Sequence, residues 1–237
     1  MIPWVHLDTS AIPGETASLR LMRRGDEFAI VVDSIELMNS RRSGSERALA
    51  SLACGRLRET RAPRVLIGGL GMGFTLRAAL SELAPDAQVV VAELIPAVAA
   101  WARGPLAHIF AGSLDDPRVV LHETDVHDLI AASPGRYDAI LLDVDNGPEG
   151  LVQRSNDRLY DVAGLGTAHR ALRPGGLLGV WSESPDRKFK SRLQRGGFAV
   201  EEHKVRSAGS GGRHVVWIGE KMGGAAAAPG RRDPNGR

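Results

Sequence analysis

Residues 65–73 read VLIGGLGMG, and no other stretch restricts the fold of this chain as much. A β-branched and leucine run meets four glycines in six positions, and FTLRAALSEL follows at once with helical spacing. Such a strand–turn–helix junction needs glycine where the backbone takes positive φ or where a ligand must come close to it. The helix start also presents N–H groups without partners inside the helix. Gly69, Gly71 and Gly73 form the G-x-G-x-G of the turn. A tight turn without a ligand has the same requirement, so the motif needs companions.

The pattern around it repeats. Apolar runs RVLIGG, QVVVAEL, RVVLHE, YDAILLDVD and LLGVWSE alternate with helical stretches, among them PAVAAWAR and DVAGLGTAHRALRPGG. This alternation predicts an α/β, Rossmann-like fold with a mostly parallel, seven-stranded sheet and helices on both faces. FAVEEHKV and HVVWIGE are joined by SAGSGG, too short for a crossover helix. They are expected as an antiparallel pair at one sheet edge, which makes the last strand antiparallel. Upstream, residues 19–38 read as short strands around the turn RRGDE, and 45–58 as a helix that Ser45 can cap. The expected division is residues 1–60 as a β-hairpin region with a linking helix, 61–221 as the binding domain, and 222–237 as a disordered tail of Gly, Ala and Pro.

Charge and composition narrow the function. The formal net charge is +2, and the tail's three arginines and one aspartate account for it. Residues 1–221 therefore balance to zero, and a nucleic-acid face is not expected. One cysteine, Cys54, allows no internal disulfide and no cysteine metal cluster; its helical, apolar context reads as packing. MIPWVHLDTS lacks the form of a signal peptide, and no stretch approaches the roughly 18 apolar residues of a membrane span. A cytoplasmic protein with no membrane contact is the expectation.

The companions of the glycine turn are acidic. Glu93 ends the second strand, twenty residues after Gly73, where a carboxylate can accept both hydroxyls of a ribose. Dinucleotide binding fits less well, because the third glycine arrives one position early. No G-K-[ST] follows, which excludes a P-loop. After the third strand, Asp125 can accept from an adenine amino group with Val126 against the ring, while Asp128 can cap the next helix. His122 and His127 have no spacing that makes a metal set, and none is expected. The fourth strand runs into LLDVDNGPEG. Asp143 and Asp145 there can position or deprotonate an acceptor, or they belong to an Asp–Asn–Gly turn fixed by Pro148. Asn156 and Tyr160 can close the pocket from the following loop. Trp181 ends a strand on the ligand side, whereas Trp101 and Trp217 read as core.

Taken together, VLIGGLGMGF, VVVAELIPAV, TDV, YDAILLDVDNGP and LRPGG resemble the class I S-adenosylmethionine-dependent methyltransferase fold, and more narrowly the spermidine synthase family of polyamine aminopropyltransferases. The resemblance spans about residues 19–205. It implies that Gly69, Gly71 and Gly73 hold the methionine side of the cofactor, Glu93 its ribose, and Asp125 with Val126 its adenine. Asp143 matches the aspartate that positions or deprotonates the attacking amine. Glu36 falls where the family often has a glutamine near the cofactor. The family's N-terminal sheet contributes to a dimer, which implies a homodimer.

The departures carry weight. The family's glycine loop reads G-G-G-D-G-G, and Gly71 stands where its aspartate holds the amine of decarboxylated S-adenosylmethionine. Its Y-H-E is GSE at 44–46, its D-S-S-D-P is DVDNGP, and the Asp of its E-x-D-P is Ile95. A buried ammonium without an anionic partner is costly, whereas S-adenosylmethionine brings its own carboxylate. The sequence thus predicts an S-adenosylmethionine-dependent transferase acting on a small molecule, an amine among the candidates, with methyl transfer first. Aminopropyl transfer from decarboxylated S-adenosylmethionine to a polyamine is the alternative, and a non-catalytic nucleoside-binding protein a further one.

Overall fold

The computed structural model describes residues 2–41, 44–144, 156–206 and 213–222. Asp145 and the tail beyond Met222 lie outside these residues.

Five strands with β-branched or leucine-rich centres build the parallel part of the main sheet: β5 (Arg64–Gly68), β6 (Gln88–Glu93), β7 (Val119–Glu123), β8 (Tyr137–Leu142) and β9 (Leu172–Ser182). β10 (Phe198–Arg206) and β11 (Arg213–Lys221) complete it in the order β10-β11-β9-β8-β5-β6-β7. β11 runs antiparallel to both β9 and β10, as the short connection requires. This is the seven-stranded, class I methyltransferase-like arrangement expected from the sequence.

Alternation along β5 divides the core. Val65 and Ile67 face a cluster that includes Leu49 of α1 (Gly44–Cys54), Leu76 of α2 (Phe74–Glu82) and Trp101 of α3 (Pro96–Arg103). Leu66 faces the opposite cluster, with Leu165 and Phe189. After α3 come α4 (Ala107–Phe110), α5 (Val126–Ala131), α6 (Asp157–Tyr160), α7 (Val162–Ala171) and α8 (Arg187–Arg195). Period-two side-chain placement on the strands makes such a two-faced sheet. α8 has only two buried positions, Phe189 and Leu193, spaced i to i+4, and Asp186 caps it. That signal was too sparse to be read as a helix. Cys54 is buried and its thiol is pushed up to about 12 by burial, in keeping with packing rather than reactivity.

The N-terminal region exceeds a hairpin. β1 (Val5–Ala11), β2 (Ser18–Arg24), β3 (Glu27–Val32) and β4 (Ile35–Asn39) form a four-stranded antiparallel sheet. Nearly all of β1 is exposed, so it has no buried face to betray it in the sequence. Leu21, Phe28 and Ile30 join the same core cluster as Val65 and Ile67. The indole N–H of Trp101 donates to Asp8 Oδ2 over 2.7 Å and ties β1 to α3. Ser45 lies inside the first turn of α1, buried, with its hydroxyl on Glu46 rather than capping the helix.

Candidate active site

Strand order reverses between β5 and β8, and the carboxyl ends of β5, β6, β7 and β8 open onto one cleft. This is where open α/β sheets bind ligands. Backbone hydrogen bonds set the strand ends: Gly69 N to Ala92 O at 2.9 Å, Asp143 N to Gly68 O at 3.0 Å, and Thr124 N to Glu93 O at 2.9 Å. The N-terminal sheet roofs the cleft with Leu19, Ile30, Leu37 and Met38.

The glycine turn is closely fitted. Gly69 and Gly71 line the cleft at φ of 91° and 50°. A Cβ on Gly69 would stand 2.4 Å from the Asp143 carbonyl oxygen, and one on Gly71 would stand 2.7 Å from Met38 Sδ. Gly73 differs from the expectation. It does not line the cleft; it has φ 75° and lies against the Phe110 ring, 2.5 Å from where its Cβ would be. Its glycine serves packing of the helix start.

Glu93 is 8% exposed and lines the cleft. Its Oε2 accepts from Leu70 N at 3.0 Å and its Oε1 from Ile95 N at 2.9 Å. Burial raises its pKa above the ordinary value, against the opposing pull of these amides and of Gly71 and Leu94. The carboxylate thus anchors the glycine turn and the start of the next loop at the edge of the cleft. Asp125 lines the same cleft with Val126, but it also caps α5 by accepting from His127 N at 2.8 Å, and it pairs with Arg158. The cap is therefore Asp125, and Asp128 sits one turn inside.

Two expected residues fall elsewhere. Glu36 is exposed, accepts from Asn39 Nδ2 at 3.2 Å and does not line the cleft. Its neighbours Leu37 and Met38 both do, because β4 carries a bulge opposite Ile30 and Val31. Tyr160 is buried in the second core cluster, edge-on to Phe189 at 5.7 Å, and does not close the pocket. Asn156 does line it. Trp101 and Trp217 are core, as expected.

Asp143 lies where this cleft meets a second one. It is partly open, yet desolvation of its carboxyl lifts the pKa to about 7; Glu46 adds repulsion and the Thr75 hydroxyl pulls the other way. Thr75 Oγ1 donates to Asp143 Oδ2 at 2.5 Å. Glu46, on the first turn of α1, lines the second cleft with Phe74 and Trp181. In the sequence Glu46 stands only as the last residue of GSE, where the resembled family has Y-H-E. That surviving glutamate was the signal available.

Strand order and the position of the cleft are those of the class I methyltransferase-like fold. Spermidine synthase from Thermotoga maritima superposes with a TM-score of 0.71 over 91% of this chain and 72% of its own, at 17% identity. A didemethyltoxoflavin methyltransferase from Burkholderia thailandensis, with bound S-adenosylhomocysteine, has a TM-score of 0.55 over 76% of this chain and 80% of its own, at 18% identity. At these identities the likeness is one of fold. In sequence the chain is 35% identical over 150 residues to a polyamine aminopropyltransferase of Mycobacterium tuberculosis. The match takes in 60% of this chain and 28% of that protein, so the chain spans little more than a quarter of the relative's length. No family model matches.

Proposed function

We propose that this protein transfers an aminopropyl group from decarboxylated S-adenosylmethionine to an amine. The observation that carries the reading is Asp143: a carboxyl with a pKa of about 7, beside Glu46, at the junction of the main cleft and a second cleft. The cleft suits such a donor in placing the backbone of Gly69 and Gly71 and the carboxylate of Glu93 on one lining, at the carboxyl ends of β5 and β6.

When bound, the sulfonium donor supplies an electrophilic carbon whose bond to sulfur breaks, with its electron pair, as the new C–N bond forms. Glu93 holds the ribose, and Asp125 with Val126 borders the base. Asp143 and Glu46 draw an ammonium into the second cleft and favour its approach to the donor. In its ionised form Asp143 takes the proton that the amine must lose, and Thr75 fixes the carboxyl so that Oδ1 is left for the amine. Proximity of two held reactants supplies much of the remaining acceleration. The second cleft, open as far as Asp143, favours an enzyme over a nucleoside-binding protein without chemistry.

Methyl transfer, which the sequence put first, becomes the second reading. Gly71 still supports it, because the turn offers no carboxylate to the ammonium of the decarboxylated donor. The names of the sequence relatives favour aminopropyl transfer. Calorimetry with both donors separates the two: the aminopropyl reading expects the decarboxylated form to bind at least as tightly, and a clear preference for S-adenosylmethionine reverses the order.

The role of Asp145 as a second catalytic carboxylate lies outside the described residues. A homodimer through the N-terminal sheet belongs to the same proposal, supported by Val5 and Leu7 standing exposed on β1, and light scattering at micromolar concentration tests it. No helix among the described residues is long and apolar enough to cross a membrane; a cytoplasmic location is in keeping with the proposed chemistry.

A further inference from the structure

We propose that Met38 sets the width of the passage between the two clefts, so that the protein takes an amine on an unbranched carbon and discriminates against one on a branched carbon. The inference rests on the proposed reading of the second cleft as the acceptor site.

Among the described residues, Leu37, Met38, Gly71 and Asp143 line both clefts and frame the place where they meet. A donor in the first cleft and an amine in the second can form a bond only there. The amine nitrogen and the carbon that carries it must therefore come between these residues. Gly71 brings backbone alone, and the Asp143 carboxyl is held by Thr75. What narrows the passage is the Met38 thioether lying on the glycine turn. A Cβ at residue 71 would stand 2.7 Å from Met38 Sδ and 3.1 Å from Met38 Cε.

β4 accounts for this placement. Met38 pairs with Ile30 of β3, which itself lines the first cleft, and the bulge next to this pair brings Leu37 in beside it. Met38 is half-buried and packs against the core cluster that holds Leu21 and Ile30. Its unbranched side chain has three rotatable bonds, so it can lie along the turn. The thioether thus has backbone on one side and core on the other. A methyl group on the amine-bearing carbon has to displace it. One carbon too many in a fitted apolar site changes discrimination roughly 10- to 200-fold.

1,4-Diaminobutane and 2,5-diaminohexane carry two ammonium groups at the same spacing and differ in one methyl on each amine-bearing carbon. Calorimetry on the full chain at pH 8, with saturating methylthioadenosine, should give 1,4-diaminobutane at least a tenfold lower Kd. Met38→Ala should shrink the gap below threefold by improving the branched diamine, and Met38→Leu should keep it above fivefold. A merely structural role would weaken both diamines alike and leave their ratio unmoved. Equal or tighter binding of the branched diamine by the wild type overturns the proposal, as does failure of both to bind, or an undiminished gap in folded Met38→Ala. Should Met38→Ala not fold, an undiminished gap in Met38→Val overturns it. A parallel product assay with the decarboxylated donor separates the two ideas. Selective binding that Met38→Ala abolishes, with no product from either diamine, keeps this inference and removes the transferase reading. Equal binding and equal transfer to both diamines by the wild type does the reverse.

Discussion

The Thr75 hydroxyl donates to Asp143 Oδ2 at 2.5 Å, joining the first turn of α2 to the end of β8 across 68 positions of sequence. That bond favours the ionised carboxylate, but desolvation outweighs it and the pKa stands at about 7. A group so poised can change protonation state within the working range of an enzyme.

The first prediction concerns pH. If ionised Asp143 accepts the proton, kcat/KM rises with pH through an inflection near 7. Glu46→Gln removes the second-largest cause of the shift, so the inflection should move below the wild-type position. Asp143→Asn should lower kcat at least a hundredfold and erase the inflection, with donor binding kept within threefold. Profiles of the three proteins check this, and an unmoved inflection in Glu46→Gln means that the glutamate does not act on Asp143.

The same shift predicts a stability trend. The folded protein binds a proton at Asp143 that the unfolded chain has released above its ordinary value of 3.8. The contribution of this group to stability is thus fully present below about pH 4 and is lost as pH rises through about 7. Urea unfolding from pH 4 to 8 should show Asp143→Asn gaining on the wild type across that window. A constant difference between the two curves contradicts it.

Glu93→Ala should cost both binding and stability. Its carboxylate serves the amides of Leu70 and Ile95, and an amide deprived of its acceptor in a buried place costs about 1–3 kcal/mol. The structure makes Glu93 an anchor of the glycine turn as well as a cleft residue. A loss of roughly 2 kcal/mol in urea unfolding and at least a tenfold loss of donor affinity, about 1.4 kcal/mol, are expected. Unchanged affinity in the folded variant would put the ribose elsewhere.

Gly71→Asp should restore a carboxylate to the turn. Its φ of 50° is a left-handed conformation that aspartate tolerates better than most residues, and the Met38 thioether that crowds the position is the far end of a flexible side chain. The variant should shift the ratio of affinities at least tenfold toward the decarboxylated donor. Calorimetry with both donors reads it, and an unchanged ratio would mean that the donor's ammonium lies away from residue 71.

What was legible in the sequence was local. Gly69, Gly71 and Glu93 follow their strands at short, fixed distances, so strand-end reasoning brought them to one cleft. Asp143 was found the same way. Gly73 shows the limit, since a positive φ against the Phe110 ring asks for glycine as firmly as a ligand does. Leu37 and Met38 reach the cleft from the N-terminal sheet, and nothing near them in sequence signals that approach; Glu46 reaches the second cleft from α1, and only its match to the glutamate of Y-H-E points to it. Glu36 was one residue from the right place: strand side chains alternate in direction, and the bulge in β4 turns Leu37 and Met38 inward. Tyr160 carried an aromatic ring that fitted either a pocket or a core, and packing against Phe189 decided it.

Incubation of the protein with decarboxylated S-adenosylmethionine and a panel of primary amines, followed by mass analysis of the amines and of the nucleoside, tests the central claim most directly. The account predicts an aminopropylated amine and an equal amount of methylthioadenosine, both lost in Asp143→Asn. A donor that binds yet yields no aminopropylated amine across the panel, or a methylated amine formed from S-adenosylmethionine instead, would contradict it.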